Sequence, residues 1–198
     1  DIPIGLTDSP NGRQCDRQAR KVLSPLRHSS VFSAPCRKAI WHNSYQEGCR
    51  VNFHVTGRKL SKQSWAISPK IKEVDDFLRG QQPGSRAKIR EIHPEVAFWS
   101  LNDGKPMTFN KKTVEGFEER RNLLKRYLSH ADQVIDAALN DFRRNEVARD
   151  DIADALVCAC TALLYPRISS IPKVPEFDEY GLPMEIVHAG KNGGKNGV

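Results

Sequence analysis

Most of this chain has the three-to-four-residue apolar spacing of amphipathic helices, and strand-like runs are few. The spacing predicts helices over residues 11–23, 68–80, 113–128, 131–142 and 150–164, with short helices within 33–56. Strand-like runs cover only residues 1–6, 87–99 and 182–188. Three such strands make too narrow a sheet to stand alone. We therefore expect a mixed α/β domain over residues 1–190 that lacks its first strands, followed by a disordered tail over 191–198.

The net charge of +7 is concentrated in the first third of the chain. Residues 1–72 hold 13 Lys and Arg against 4 Asp and Glu, whereas residues 73–154 hold 14 against 16. Such a basic surface favours a polyanion such as nucleic acid, although it equally serves to keep a protein in solution. No stretch approaches the roughly 18 apolar residues of a membrane span, so we expect no membrane partner. Five cysteines that match no zinc or redox spacing favour a reducing, cytoplasmic location.

The acidic start of the last predicted helix is the most informative stretch for chemistry. Asp151 and Asp154 are three residues apart, so a helix presents both carboxylates on one face, where they can hold a divalent cation. Hard oxygen ligands of this kind suit Mg²⁺ or Mn²⁺. Acidic residues in a first helical turn also complement the helix dipole, with Asp150 or Asp151 as the N-cap. That second interpretation fits Asp150 best and Asp154 least.

A second group of ionisable residues lies in the predicted strand 87–99. There Glu91, His93 and Glu95 would project to one face, opposite Ile92. Pro94 marks an edge or the end of the strand, so His93 and Glu95 can equally point to solvent. Of the three, Glu91 is the strongest candidate for a site role.

Asp1 opens the apolar run 1–6, and carboxylates on core strands are where α/β enzymes place metal ligands. Ser68 fits an N-cap with Pro69 at the first helical position. That start makes Lys70 a candidate to orient water or phosphate, although a lysine in a first turn is ordinarily solvated. Six further basic residues are candidate contacts to a nucleic-acid backbone: Arg13, Arg17, Arg20, Arg37, Lys111 and Lys112.

Seven segments spread over nearly the whole chain together resemble one known family. They are Asp-Ile-Pro-Ile-Gly-Leu (1–6), Arg-Gln-Cys-Asp-Arg-Gln-Ala-Arg (13–20), Ser-Ser-Val-Phe-Ser-Ala-Pro-Cys-Arg (29–37), Ser-Lys-Gln-Ser-Trp-Ala-Ile-Ser-Pro-Lys-Ile-Lys-Glu-Val-Asp (61–75), Glu-Ile-His-Pro-Glu-Val-Ala-Phe (91–98), Asn-Lys-Lys-Thr-Val-Glu-Gly-Phe-Glu-Glu-Arg (110–120) and Asp-Asp-Ile-Ala-Asp-Ala-Leu (150–156). In these segments the chain resembles the predicted RNase H-like nucleases, domain of unknown function 429.

The resemblance implies an RNase H-like fold, a mixed sheet flanked by helices with a helical insertion after the first strand present. It also implies that carboxylates from strands and from the final helix meet around metal. Asp1 matches the central-strand acid of that pattern, and Asp151 and Asp154 match the pair on the closing helix. The first-strand Asp of the family has no counterpart, and a β-prone segment with Gly-x-Asp before Asp1 would complete the site.

The function expected from these features is metal-dependent hydrolysis of nucleic-acid phosphodiester bonds, with two Mg²⁺ or Mn²⁺ ions flanking the scissile phosphate. The expected metal ligands are Asp1, Glu91, Asp151 and Asp154, with His93 and Lys70 in supporting roles. One alternative is a non-catalytic nucleic-acid-binding module or pseudoenzyme on the same frame. Another is action on a nucleotide or other small phosphate, because a fold does not determine the substrate.

Overall fold

The computed structural model describes residues 1–190, so the tail predicted for 191–198 lies outside the described residues. These residues form two compact units. Unit 1 contains Asp1–Lys21, Ser29–Glu91 and Ser170–Ile186. Unit 2 contains Val22–His28, Ile92–Ser169 and the described residues from Val187 onward.

The described residues are mixed α/β and mostly helical, as the sequence predicts. The α-helices are α1 (Gln14–Val22), α2 (Tyr45–Thr56), α3 (Lys62–Arg79), α4 (Pro83–Arg86), α5 (Pro94–Leu101), α6 (Val114–Lys125), α7 (Ala131–Asp141) and α8 (Arg149–Leu163). Two 3₁₀ helices cover His28–Ser30 and Arg37–Trp41. The strands β1 (Ile168–Phe177) and β2 (Pro183–Ala189) form a two-stranded antiparallel sheet. None of the helices within residues 1–190 is long and apolar enough to cross a bilayer.

Capping residues explain where several of these helices begin. The side chain of Ser44 accepts a hydrogen bond from the backbone N–H of Glu47 at the start of α2. Ser61 does the same for α3, and Thr113 for α6, where the donor is the N–H of Gly116. Each hydroxyl satisfies one of the backbone donors that a helix leaves unpaired in its first turn.

Unit 1 is built from small apolar clusters around α2 and α3. One cluster joins Leu6 and Ile40 to Ile71 on α3. Another joins Cys36 and Ala39 to the partly buried apolar face of α2. Burial of these side chains is the main favourable term that holds the short helices in place.

Unit 2 contains one larger core, to which α5, α6, α7 and α8 all contribute. Helix α8 packs against each of the other three. The buried core residues are Ala97, Phe98, Leu101, Met107, Phe117, Leu123, Leu124, Ala131, Ile135, Ile152, Ala153, Val157, Cys160 and Ala189. This packing makes α8 the central helix of the unit, so its first turn has a defined position relative to α5 and α6.

The strand predicted for residues 1–6 is wrong, because this segment has no regular secondary structure. Its apolar residues are still buried: Ile4 is 6% exposed and Leu6 is 2% exposed. Gly5 has φ +73°, a left-handed value that a strand does not contain. A side chain at Gly5 would also meet Met184 at 2.8 Å. The apolar run therefore indicates that this segment is buried, although its backbone is irregular and does not form a strand.

The strand predicted for residues 87–99 is also wrong, because α5 occupies its second half. Pro94 is the first residue of that helix, where its missing N–H removes no hydrogen bond and its ring sets a helical φ. Only Ile92 retains strand character, through an isolated parallel bridge to Val187. The expected row of Glu91, His93 and Glu95 on one strand face is therefore absent.

The helix predicted to have Ser68 as its N-cap begins about two turns earlier, at Lys62. Ser61 is the N-cap, and Pro69 lies inside the helix. The hydroxyl of Ser68 donates to the carbonyl of Ser64, so it is bonded within the helix. Lys70 is consequently not in a first helical turn.

Gly116 gives a test of this packing. An ideal Cβ at Gly116 would lie 1.9 Å from the carbonyl oxygen of Asn110, a backbone atom that cannot rotate away. Gly116→Ala should therefore destabilise the protein by roughly 1–3 kcal/mol in urea unfolding. Gly84→Ala is the matched control, since no atom lies within 4 Å of the added Cβ, and its effect should stay within about 0.5 kcal/mol. Equal unfolding midpoints for the two variants would contradict the close approach.

Candidate functional site

Three carboxylates converge at the start of α8, and they are called the α8 carboxylates below. Asp150, Asp151 and Asp154 each offer one oxygen, and these oxygens lie within 4.8 Å of one another. Asp150 is buried, Asp154 is partly buried and Asp151 is exposed. The pair predicted on one helix face is confirmed as a geometric feature, with Asp150 as an additional member.

The predicted N-cap at Asp150 or Asp151 is wrong, because Ala148 holds that position. The carboxylate of Asp151 accepts a 3.4 Å hydrogen bond from the N–H of Ala148, so it reaches back over the helix start. A carboxylate there also complements the positive end of the helix dipole. Asp150 and Asp154 are engaged differently, through a lysine.

Lys111 is the counter-ion of the α8 carboxylates. Its Nζ lies 2.6 Å from Asp154 Oδ2 and 3.2 Å from Asp150 Oδ2. Burial alone would lower the pKa of Lys111, but its hydrogen bonds to Asp154 and Asp150 outweigh burial and raise it. Lys111 follows Asn110 in a turn closed by a 3.0 Å hydrogen bond from Thr113 N to Asn110 O. Lys111, which the sequence predicts to contact phosphate, is therefore ion-paired with Asp150 and Asp154.

A buried ion pair lies at the start of α5. Glu95, the second residue of α5, is 4% exposed, and Arg120 on α6 is fully buried. Arg120 Nη2 donates to Glu95 Oε1 over 2.5 Å. Arg120 Nη1 donates to the carbonyls of Gly116 (2.9 Å) and Phe109 (3.2 Å). The guanidinium therefore ties α5 to α6 and to the segment before α6.

Glu95 and Arg120 both act electrostatically on Asp154. Burial raises the pKa of Asp154 above its usual range, and the charge of Glu95 raises it further. Lys111 and Arg120 oppose that rise. Asp154 Oδ1 and Glu95 Oε2 are buried atoms without a hydrogen-bond partner among the described residues. Glu95 thus belongs to the electrostatic environment of the α8 carboxylates.

Glu91 lies in unit 1 and is held by an arginine. Its Oε2 accepts a 2.7 Å hydrogen bond from the N–H of Ile4 and another from the guanidinium of Arg13. Burial raises the pKa of Glu91 to about 7, although Arg13 opposes the rise. His93 belongs to unit 2, where it is buried at the N-cap position of α5. The two residues expected side by side thus belong to different units.

The remaining catalytic candidates, Asp1 and Lys70, are both exposed and lie in unit 1. Lys70 Nζ lies 3.3 Å from Glu73 Oε2, in an exposed ion pair one turn along α3. Such pairs contribute little to stability, about 0–1 kcal/mol. The role predicted for Lys70 from a helix start has lost its structural basis.

Two of the predicted nucleic-acid contacts are buried. Arg13 is 2% exposed and is bonded to Glu91, and Arg37 is 5% exposed. Arg37 lies 2.6 Å from Asp75 and also bonds Asp178 within unit 1. These contacts place both guanidinium groups inside the unit, away from any phosphate at its surface.

Three further predicted contacts are at or near the surface. Arg17 is exposed and donates to the carbonyl of Gly12 over 3.0 Å. Arg20 is partly buried and donates to the carbonyl of Val31 over 2.7 Å. Lys112 is exposed beside Lys111. Arg17 and Lys112 are therefore the accessible members of the predicted set.

Two features of unit 2 were not predicted from the sequence. Glu95 was predicted on a strand, either on one face with Glu91 and His93 or pointing to solvent, whereas its place directly after Pro94 indicates a helix start. Three exposed arginines, Arg143, Arg144 and Arg149, directly precede the α8 carboxylates. Their place in the sequence just before three aspartates could have indicated a binding site, because basic residues next to carboxylates favour a polyanionic ligand.

The model of the family described as "Protein of unknown function (DUF429)" matches residues 1–176. This chain belongs to the DUF429 family. A search of curated proteins and a search of solved structures returned no match. The resemblance seen in the seven sequence segments is thereby confirmed at the level of the DUF429 family, whose matched range contains every site residue discussed above.

Lys111 and Lys112 allow a matched test of the counter-ion role. Lys111→Met should destabilise the protein by roughly 1 kcal/mol at pH 7, because the α8 carboxylates then repel one another without a cation. Lys112→Met removes the same charge from an exposed neighbour and should change the free energy of unfolding by less than about 0.5 kcal/mol. Urea unfolding measures both. An equal effect of the two substitutions would mean that the Lys111 contacts contribute nothing specific.

Proposed function

We propose that this DUF429 protein is a Mg²⁺- or Mn²⁺-dependent hydrolase of nucleic-acid phosphodiester bonds, with the α8 carboxylates as metal ligands. The observation that carries the proposal is the convergence of three carboxylate oxygens within 4.8 Å on one packed helix. Oxygen ligands of this kind are those that Mg²⁺ and Mn²⁺ prefer. A divalent ion bound there would activate water and stabilise the leaving oxygen.

Lys111 would have a second role once the carboxylates bind metal. Its Nζ now neutralises Asp150 and Asp154, and a divalent cation at the same oxygens competes with it. The Lys111 side chain is 32% exposed, so its ammonium group can turn outward on the flexible stem. A released lysine beside the metal ligands is well placed to donate to a phosphate oxygen.

Exposed basic residues support nucleic acid as the partner. Arg149 is the first residue of α8, directly before Asp150, and Arg143 and Arg144 lie just upstream. Lys112 adds a further exposed charge beside Lys111. Arginine and lysine bind the phosphate backbone without reading sequence, so this rim favours a nucleic-acid backbone over a neutral substrate.

An RNase H-like frame remains part of the proposal. Strand β2 pairs antiparallel with β1 and makes a parallel bridge to Ile92. A strand that has an antiparallel partner on one side and a parallel partner on the other is typical of a mixed sheet. Asp1 is a proposed ligand through the family resemblance alone, and the proposal for the metal site rests on the α8 carboxylates.

Cleavage of labelled single- and double-stranded DNA and RNA with Mn²⁺ tests the proposal. Asp154→Asn and Asp151→Asn should abolish cleavage, because each removes a charged metal ligand. Asp141→Asn, at the exposed end of α7, is the control and should cleave like the wild type. The assay uses the 198-residue chain and also a longer chain with any residues that the gene encodes before Asp1.

Two results would contradict this function. Unchanged cleavage by both aspartate variants would exclude the α8 carboxylates as the catalytic ligands. Titration calorimetry that detects no binding of Mn²⁺ or Mg²⁺ would remove the metal role altogether. Metal-independent, salt-sensitive binding of nucleic acid without cleavage would instead favour a binding module on the same frame.

Competition between Lys111 and metal predicts an unusual phenotype for Lys111→Met. The variant should bind Mn²⁺ several-fold more tightly than the wild type, since the ion no longer displaces an ammonium group from Asp154. Its cleavage rate should nevertheless fall, because a donor to phosphate is lost. Calorimetry measures the first effect and the cleavage assay the second. Weaker Mn²⁺ binding by the variant would show that Lys111 does not compete with the ion.

A further inference from the structure

We propose that unit 1 binds single-stranded nucleic acid on the exposed side of α2 and on the basic segment that follows this helix. This region is called the α2 surface below, and its exposed residues are Arg50, Phe53, Arg58, Lys59 and Lys62. The α8 carboxylates belong to unit 2, so this inference goes beyond the proposed function and does not depend on it.

The positive charge of the α2 surface has no acidic residues near it in the sequence. Residues 48–72 hold six Lys and Arg and no Asp or Glu. Four of these six basic residues belong to the α2 surface, and none of the four forms an ion pair with another residue of 1–190. Unpaired basic side chains of this kind are complementary to a phosphate backbone, because charge supplies most of the affinity for nucleic acid.

Hydrogen bonds hold the basic segment against α2. Gly57 ends the helix with a left-handed φ of +70°, which turns the chain. The side-chain amide of Asn52 then donates to the carbonyl of Arg58 over 2.7 Å. The hydroxyl of Tyr45, the first residue of α2, donates to the carbonyl of Leu60 over 3.0 Å. Residues 58–60 therefore run back along α2 toward its start, which places their basic side chains beside the helix.

Phe53 adds an aromatic ring to this basic surface. Gly48 and Asn52 are the buried residues of α2, and Arg50 and Phe53 lie on the opposite side of the helix. Arg50 and Phe53 are three residues apart, so their side chains are neighbours on that side. Phe53 is 54% exposed, so one of its ring faces can reach a ligand. An exposed ring beside basic groups is typical of single-strand binding, in which the ring stacks on a base and the cations contact phosphates.

The same features distinguish a single strand from other anionic partners. In a duplex the bases stack on one another inside the helix, so their faces are not available to Phe53. A helix that lies in a membrane surface needs a broad apolar face. Among residues 45–56 of α2, however, Phe53 is the only large apolar residue that is exposed. One ring surrounded by cations therefore favours a single strand over a duplex or a lipid surface.

Fluorescence anisotropy of labelled single-stranded DNA and RNA, with the full chain in EDTA, tests the role of Phe53. Phe53→Ala should weaken binding at least about fivefold, as the loss of one stacking contact does. Phe77→Ala is the matched control, because Phe77 is also 54% exposed but its neighbours on α3 include Glu73 and Asp76. This control should bind like the wild type.

Phe53→Trp separates the loss of stacking from a general change in the helix. It keeps a planar ring at the same position, so it should bind the single strand at least as tightly as the wild type. A Phe53→Trp variant that binds as weakly as Phe53→Ala would overturn the stacking role.

The salt dependence of binding tests the basic residues. Arg50→Gln and Lys59→Gln should each make the slope of log K against log salt concentration shallower by about 0.7, because each removes one phosphate contact. Lys125→Gln is the control, since the Lys125 ammonium already lies 3.3 Å from Asp132. Its slope should equal that of the wild type, and an equal change in all three variants would overturn the specific role of the α2 surface.

The remaining results separate this inference from its alternatives and from the proposed function. Wild-type single-strand binding by Phe53→Ala, or duplex binding as tight as single-strand binding, would overturn the inference. Binding to phosphatidylserine vesicles without binding to single strands would overturn it in favour of a membrane surface. A chain that binds single strands through Phe53 in EDTA but does not cleave them with Mn²⁺ would contradict the proposed function and leave this inference in place.

Discussion

The buried guanidinium of Arg120 is the interaction on which the candidate site depends. It is fully buried, and it bonds Glu95 on α5, the Gly116 carbonyl on α6 and the Phe109 carbonyl before α6. A charge removed from water must be paired and hydrogen-bonded, and leaving one partner of such a pair alone costs about 3–5 kcal/mol. The requirement to satisfy Arg120 thus holds the start of α5, the start of α6 and the preceding segment in one arrangement.

The position of Lys111 follows from that arrangement. The segment that gives its Phe109 carbonyl to Arg120 continues into the turn at Asn110, and Gly116 allows the Asn110 carbonyl to pass within a distance that no side chain would permit. Lys111, the next residue, then reaches Asp150 and Asp154 on α8. Lys111 therefore pairs with Asp150 and Asp154, and Arg120 pairs with Glu95.

Local sequence patterns predicted several helices of this fold correctly, but they wrongly predicted strands in two buried segments. The helices now called α6, α7 and α8 and the strand β2 appear close to their predicted bounds, because amphipathic periodicity is a local property. The segments 1–6 and 87–99 read as strands because they are apolar and are buried, and burial alone does not distinguish an irregular segment or a short helix from a strand. Two residues in these segments indicated the observed structure. Pro94 is typical of the first residue of a helix, and Gly5 is typical of a left-handed backbone conformation.

The sequence by itself determined that Asp151 and Asp154 share a helix face, because three residues make nearly one turn, and it determined membership of the DUF429 family. Only the tertiary structure decided which charges join them. Glu95 pairs with Arg120 across 25 residues, and Lys111 reaches Asp154 across 43. Glu91 was the stronger candidate from sequence, yet it pairs with Arg13 in the other unit. The reason is physical: periodicity and capping act over a few residues, whereas the pairing of a buried charge depends on which distant elements pack around it.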